Sequence, residues 1–141
     1  MKAAEKIIAV IKNKGGRITK PRKLMVDFFC SKPEPRQVSE IAAFLKKSGH
    51  SINRATIYRE IGFLEKTDII KKIFLADGIL RYEASFQQRH HHHIFCLKCK
   101  KIGVLELKNR TCAKNLVLEA NGFMVLGHSI ELFGICAQCQ K

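Results

Sequence analysis

The chain has 141 residues, 46% hydrophobic and 27% charged, enough for one ordinary domain or two very small ones and too apolar for a chain that stays disordered. No apolar run approaches the roughly 20 residues that cross a bilayer, and residues 1–14 mix lysines with apolar residues and lack a small-residue cleavage site, so a cytoplasmic protein with no membrane partner is expected. A formal net charge of +14, from 26 basic and 12 acidic residues, favours anionic partners, nucleic acid foremost, and the excess is larger in residues 1–83 (net +9) than in 84–141 (net +5).

In chain order, Ala4, Ile7, Ile8 and Ile11 fall at helical spacing and Gly15-Gly16 closes that helix. Thr19 is placed to cap a second helix with Pro21 in its first turn and Leu24, Phe28 and Phe29 on one face. Pro33 and Pro35 interrupt the chain; Ser39 is the expected cap of a third helix that turns Ile41, Ala42 and Leu45 inward and stops at Ser48-Gly49. Asn53 caps a fourth, with Ile57, Ile61 and Leu64 on its apolar face and Thr56, Tyr58 and Arg59 on the other. The runs 69–75 and 79–83, joined through Asp77-Gly78, predict a hairpin. Helices followed by a hairpin make a winged helix-turn-helix over residues 1–84. Residues 85–89 read as a hinge. Beyond it, strands at 93–97 and 102–107, a helix from about Arg110 to Asn121-Gly122 and a strand over 123–133 predict a small α/β domain over 90–141, so that the chain as a whole is α+β.

Cys96-Leu97-Lys98-Cys99 and Cys136-Ala137-Gln138-Cys139 are two CxxC pairs. Each presents two thiolates through a tight turn, and two pairs complete a closed structural Zn²⁺ site. The segment between them, 100–135, is too long for a zinc-ribbon spacer, so the ion would staple the start of the second domain to its end. Such a small domain needs that help, because its core alone is marginal. Four thiolates around Zn²⁺ bring the loaded chain nearer +12 than +14. Cys30, on an apolar helix face, reads as core; Cys112 falls in the first turn of the last helix.

The run His90-His91-His92-His93 is internal and directly precedes Ile94-Phe95-Cys96. On an extended strand His90 and His92 face one way and His91 and His93 the other. Two imidazoles on each face can seed two sites for Zn, Fe, Ni or Cu, with Glu83, Glu106 and His128 as candidate partners. The competing reading is a solvated polar strand. The sequence has neither HExxH nor the HxE and PCxxC pairing of zinc deaminases, and four cysteines close one metal site, so no enzyme is expected.

A winged helix, then HHHH-Ile-Phe-CxxC, then an α+β segment and a second CxxC: in that order these features resemble the ferric uptake regulator (Fur) family of iron, zinc, nickel and peroxide sensors, over essentially the whole chain. Gly16-Arg17-Ile18-Thr19-Lys20-Pro21-Arg22 is similar to the family's segment before its second helix, and Ala55-Thr56-Ile57-Tyr58-Arg59 to its recognition helix. The resemblance implies a homodimer, joined through the second domains, that represses metal-homeostasis genes by binding a palindromic operator in double-stranded DNA when loaded with metal. It implies Thr56, Tyr58 and Arg59 in the major groove and Arg17 toward the minor groove. It places a regulatory metal (Fe²⁺ or Zn²⁺, with Mn²⁺ and Ni²⁺ as alternatives) at the hinge on Glu83, His91 and His93, and a second dimerisation-domain site on His90, His92 and His128, with Glu106 as a further candidate ligand. The family pattern is broken at Gln37, where iron and peroxide sensors usually carry histidine, and at Val104, where they carry a carboxylate. Both departures speak against oxidation of an iron-bound histidine as the signal. The alternative reading is a metal-independent winged-helix nucleic-acid-binding protein whose zinc is purely structural.

Overall fold

The computed structural model describes residues 3–32, 34–86, 91–105, 122, 124 and 130–141. They fall into two compact units, residues 1–74 with 78–88, and residues 75–77 with 89–141.

The first unit holds four helices and a hairpin: α1 (Ala3–Asn13), α2 (Lys20–Ser31), α3 (Val38–Lys47), α4 (Arg54–Lys66), β1 (Ile70–Phe74) and β2 (Leu80–Ala84). Two of the three expected caps form as expected. The N–H of Arg22 donates to Thr19 Oγ1 at 3.3 Å and that of Thr56 to Asn53 Oδ1 at 2.8 Å, each satisfying an orphan donor of a first turn. The third cap moves. Helix α3 begins after Gln37, not Ser39, because the Glu40 carboxylate reaches back to accept from the Gln37 N–H at 2.8 Å, half of a reciprocal capping arrangement. Ile7, Ile11, Met25, Val26, Phe28, Phe29, Ile41, Leu45, Ile57, Ile61 and Leu64 form one buried core, with Phe28 set edge-on to Phe29 and Phe44 at 5.2 and 5.0 Å between centroids. Cys30 packs against this core, as expected.

The wing is the antiparallel pair β1–β2, in register from Ile70 opposite Ala84 to Phe74 opposite Leu80. Its loop is longer than a two-residue turn, and Gly78 takes a left-handed φ of 71° within it. A third edge comes from Arg36, which exchanges backbone hydrogen bonds with Tyr82 at 2.9 and 2.8 Å. Helix α2 ends at Ser31 with Lys32 as its C-cap, and Pro35 directly precedes the Arg36 that joins the sheet.

The second unit is built on a three-stranded sheet, β4 (Ile102–Leu105), β3 (His92–Cys96) and β5 (Glu131–Gly134), in the order β4-β3-β5. Strand β3 runs antiparallel to β4 and parallel to β5. Of the expected last strand over 123–133, β5 takes up only the end, from Glu131; Met124 and Ile130, also described, lie outside it. The expected helix of 110–121, with Cys112, lies outside the described residues.

Candidate metal centre and nucleic-acid interface

The four cysteines converge. Parallel pairing sets Cys96, the last residue of β3, beside Gly134, the last of β5, so both CxxC turns leave the sheet at the same end. In the first turn the N–H of Lys100 donates to Cys96 O at 2.9 Å, with Lys100 at a left-handed φ of 65°. In the second, Cys139 N–H donates to Cys136 O at 2.8 Å. The turns are tied to each other by Cys136 N–H to Cys96 Sγ at 3.3 Å and by Lys98 Nζ to Cys139 O at 2.9 Å.

All four sulfurs lie within 4.8 Å of one another, and Cys99 Sγ and Cys136 Sγ are 3.6 Å apart. A tetrahedron of Zn–S bonds of about 2.3 Å has sulfur–sulfur edges of roughly 3.8 Å, so the donor set fits Zn²⁺ in size and chemistry. The electrostatics agree. Backbone N–H donors, that of Cys136 first, bring the Cys96 thiol down to about 6. Hydrogen bonding to Cys136 and then Cys99 pushes Cys139 up to about 12. One sulfur is prepared as a thiolate and its neighbour resists becoming a second, which is the conflict a divalent cation resolves. Lys98, Lys100 and Lys101 are exposed around the knot, in keeping with its anionic charge. The ion would be structural: four protein ligands leave no open position.

The histidine strand is buried rather than solvated. His91, His92 and His93 are 8%, 4% and 6% exposed. The rings of His91 and His93 meet edge-to-face at 4.8 Å between centroids, the adjacency that strand alternation requires of residues two apart. Val104 stands directly opposite His93 across the β3–β4 ladder, is 54% exposed and offers no ligand atom. His90, Glu106 and His128, three of the four residues expected at the second dimerisation-domain site, lie outside the described residues; the fourth, His92, is buried on β3.

Glu83 lies in the first unit, on β2, with 0% exposure. Its Oε1 is paired with Lys71 Nζ at 2.8 Å, from the residue directly opposite on β1. Gln37 is the N-cap of α3, and its backbone N–H donates to the Glu40 carboxylate at 2.8 Å.

Helix α4 turns Ile57, Ile61 and Leu64 into the core and leaves Tyr58 and Arg59 exposed and Thr56 half-buried. Tyr58 is therefore not packed beside Ile57, the alternative its sequence neighbourhood allowed. Arg59 donates to Thr56 Oγ1 at 3.1 Å. Arg54, which the residue pattern did not single out, reaches Tyr58 Oη at 3.4 Å and lies 5.6 Å from the ring centroid. Arg17 is exposed just ahead of α2, and its carbonyl accepts from Arg22 at 2.6 Å. Arg22 in turn pairs through Nε with Glu60 of α4 at 2.7 Å and sits 3.4 Å over the Phe63 ring. One arginine thus links the Arg17 segment to the inner side of α4, a role the sequence motif around Arg22 contains but does not explain.

A family model described as the ferric uptake regulator family matches residues 13–133. The chain belongs to the ferric uptake regulator family. It is 29% identical over 134 residues to the ferric uptake regulation protein of Neisseria meningitidis, covering 94% of this chain and 92% of that one. To the peroxide-responsive repressor of Staphylococcus epidermidis it is 28% identical over 137 residues, covering 97% and 90%. Among solved structures it is similar to the Helicobacter pylori ferric uptake regulator, with TM-score 0.78, 26% identity and coverage of 97% and 91%. The iron-containing regulator of Francisella tularensis is also similar, with TM-score 0.75, 25% identity and coverage of 90% and 96%. Fur-family proteins bind operator DNA as dimers, and the function of this chain is that of the family: metal-dependent, DNA-binding transcriptional repression. Among the described residues no helix is long and apolar enough to cross a membrane.

Proposed function

We propose that this regulator represses metal-homeostasis genes as a cytoplasmic homodimer without enzymatic activity, and that a second divalent metal, Fe²⁺ or Zn²⁺, switches it on. The assignment is residue by residue. Cys96, Cys99, Cys136 and Cys139 hold the structural zinc. Glu83, His91 and His93 hold the regulatory metal across the hinge of residues 85–89, between a DNA-binding domain of 1–84 and a dimerisation domain of 90–141. His90, His92, Glu106 and His128 belong to a further site within the dimerisation domain. Arg17, Thr56, Tyr58 and Arg59 contact a palindromic operator.

The observation that carries this reading is the buried pair of His91 and His93, edge to face where the chain enters β3, the strand that ends in Cys96. Imidazoles cost free energy to bury unless their nitrogens are satisfied, and two side by side suit a metal that accepts both lone pairs. Strand β3, which holds His93 and directly follows His91, is tied at its far end to the zinc knot, so the ligands start from a fixed support. Glu83, a buried carboxylate on β2 that is ion-paired with Lys71, is suited to supply a charged ligand from the other side of the hinge. The family's dependence on metal then follows from linkage: whatever DNA affinity the metal adds, DNA adds to metal affinity.

Titration of protein carrying only its tight zinc with Fe²⁺ (anaerobically), Zn²⁺, Mn²⁺ and Ni²⁺, at fixed salt, tests the switch. DNA from upstream of the protein's own gene serves as probe. One metal is expected to tighten binding saturably, by roughly 5- to 150-fold for a coupling of about 1–3 kcal/mol. The double variant His91→Ala/His93→Ala should lose that tightening and keep its zinc. Stimulation that persists in the double variant would remove the switch from these histidines, and binding that no metal affects would leave a constitutive winged-helix binder.

A further inference from the structure

We infer that Arg54 is a specificity-determining residue that reads a guanine in the major groove, with Tyr58 holding its guanidinium in register. The inference rests on the reading of α4 as the helix that enters the operator.

The arginines of the first unit are not equivalent. Arg22 is paired with Glu60, and Arg36 with Glu34 at 2.9 Å and Glu40 at 3.0 Å; their charge is neutralised within the protein. Arg54 is exposed, and among the described residues no carboxylate pairs with it. Its recorded partner is an uncharged oxygen, Tyr58 Oη, four residues on along the same helix stripe. One N–H is taken up in that contact, and the rest of the fork keeps its donors and its charge.

Position and geometry favour a base edge over a phosphate. Arg54 is the first residue of α4, immediately after the Asn53 cap, and a recognition helix presents its N-terminal residues to base edges. On α4 the residues 54 and 58 flank the buried stripe of Ile57, Ile61 and Leu64, and both Arg54 and Tyr58 are exposed. A guanidinium fork matches the O6 and N7 acceptors of guanine in the major groove. Lying 5.6 Å from the tyrosine ring centroid, it gains cation–π attraction that limits its rotamers. Held in this way, the fork loses less freedom on binding than a free arginine does, and the Tyr58 ring is left to meet an adjacent base, such as the methyl group of a thymine.

The test is selection from a randomised duplex pool by the zinc-containing, Mn²⁺-loaded full-length protein, compared with Arg54→Ala, Arg54→Lys and Tyr58→Phe. The wild type should enrich a half-site with an invariant guanine. Arg54→Ala should lose the preference at that one position, keep the others, and bind the wild-type operator roughly 5- to 150-fold more weakly, the scale of one bidentate base contact. Arg54→Lys should resemble Ala, because a point charge cannot form the fork, and Tyr58→Phe should weaken the guanine preference without abolishing it. Arg54 sits exposed at a helix start, and an unchanged melting temperature would show that each variant folds. An enriched guanine that survives in Arg54→Ala, or full rescue by lysine with a uniform loss in the alanine variant, would overturn the inference and mark a phosphate contact. A wild-type pool in which no sequence is enriched would overturn the operator reading, and this inference with it.

Discussion

The guanidinium of Arg22 is engaged three ways at once, with the Glu60 carboxylate, the Arg17 carbonyl and the face of Phe63. Its side chain is 12% exposed and that of Glu60 7%. Removing one member of such a pair leaves the other charge desolvated, at a cost of about 3–5 kcal/mol. Arg22→Ala is therefore expected to lower the melting temperature of the first unit more than Arg59→Ala, whose head group is exposed. A melt of Arg22→Ala that coincides with the wild type would mean the pair contributes only geometry. Gly16 is a second point at which one atom matters. A Cβ there would come within 2.7 Å of Ile11 Cγ2 and Phe63 Cζ and 3.0 Å of the Ile11 carbonyl. Gly16→Ala should destabilise by about 1–3 kcal/mol, the usual cost of overpacking, readable as a shift in denaturant midpoint. Neither effect was legible in the sequence. The Gly16–Arg22 segment stands out by its resemblance to the family, but the reason for Arg22 lies 38 residues away in Glu60, and no local pattern encodes that distance.

At the scale of elements, what could be read is what depends on a few neighbouring residues. Thr19 and Asn53 cap their helices because the whole interaction lies within four residues. The cap of α3 went astray for an equally local reason: Ser39 is the better cap by residue type, but Glu40 satisfies the Gln37 N–H and starts the helix earlier. Strand alternation anticipated the His91–His93 contact but not the burial of His92 as well, which needs cover from outside the strand. Facing His93 across the ladder, Val104 sits where directly opposed side chains come within about 5 Å at Cβ. Val104→Glu is expected to add a carboxylate to the histidine cluster and tighten divalent metal binding, measured by competition with a chelating dye. Unchanged affinity would mean that the cluster closes without a ligand from β4.

For the whole molecule, the two-part organisation and the zinc pairs were visible from composition and spacing, because helix periods give way to strand periods near residue 69 and the CxxC pairs bracket the second part. The parallel pairing of β3 with β5 was not visible, since strands far apart in sequence carry no mark of their partners. A chelator strong enough to strip the four thiolates should melt the second unit and leave the helical one folded, because the core of α1–α4 makes no use of the ion. Circular dichroism that retains its helical signal while zinc leaves would bear this out; simultaneous loss of all structure would show the units to be interdependent. Acid should act in the same direction as the chelator, since a thiolate that takes up a proton no longer binds zinc.

The parallel neighbours β3 and β5 also bear on how the chain finds its fold. Cys99 and Cys136 are 37 residues apart in sequence, and contacts of that separation form slowly because the loop must close before anything rewards closure. An ion already held by one CxxC pair in the unfolded chain turns that search into the capture of a second, sticky end. Zinc would then shorten the time to reach the native sheet as well as extend its lifetime, and stopped-flow refolding of the protein should run faster with one equivalent of zinc than without.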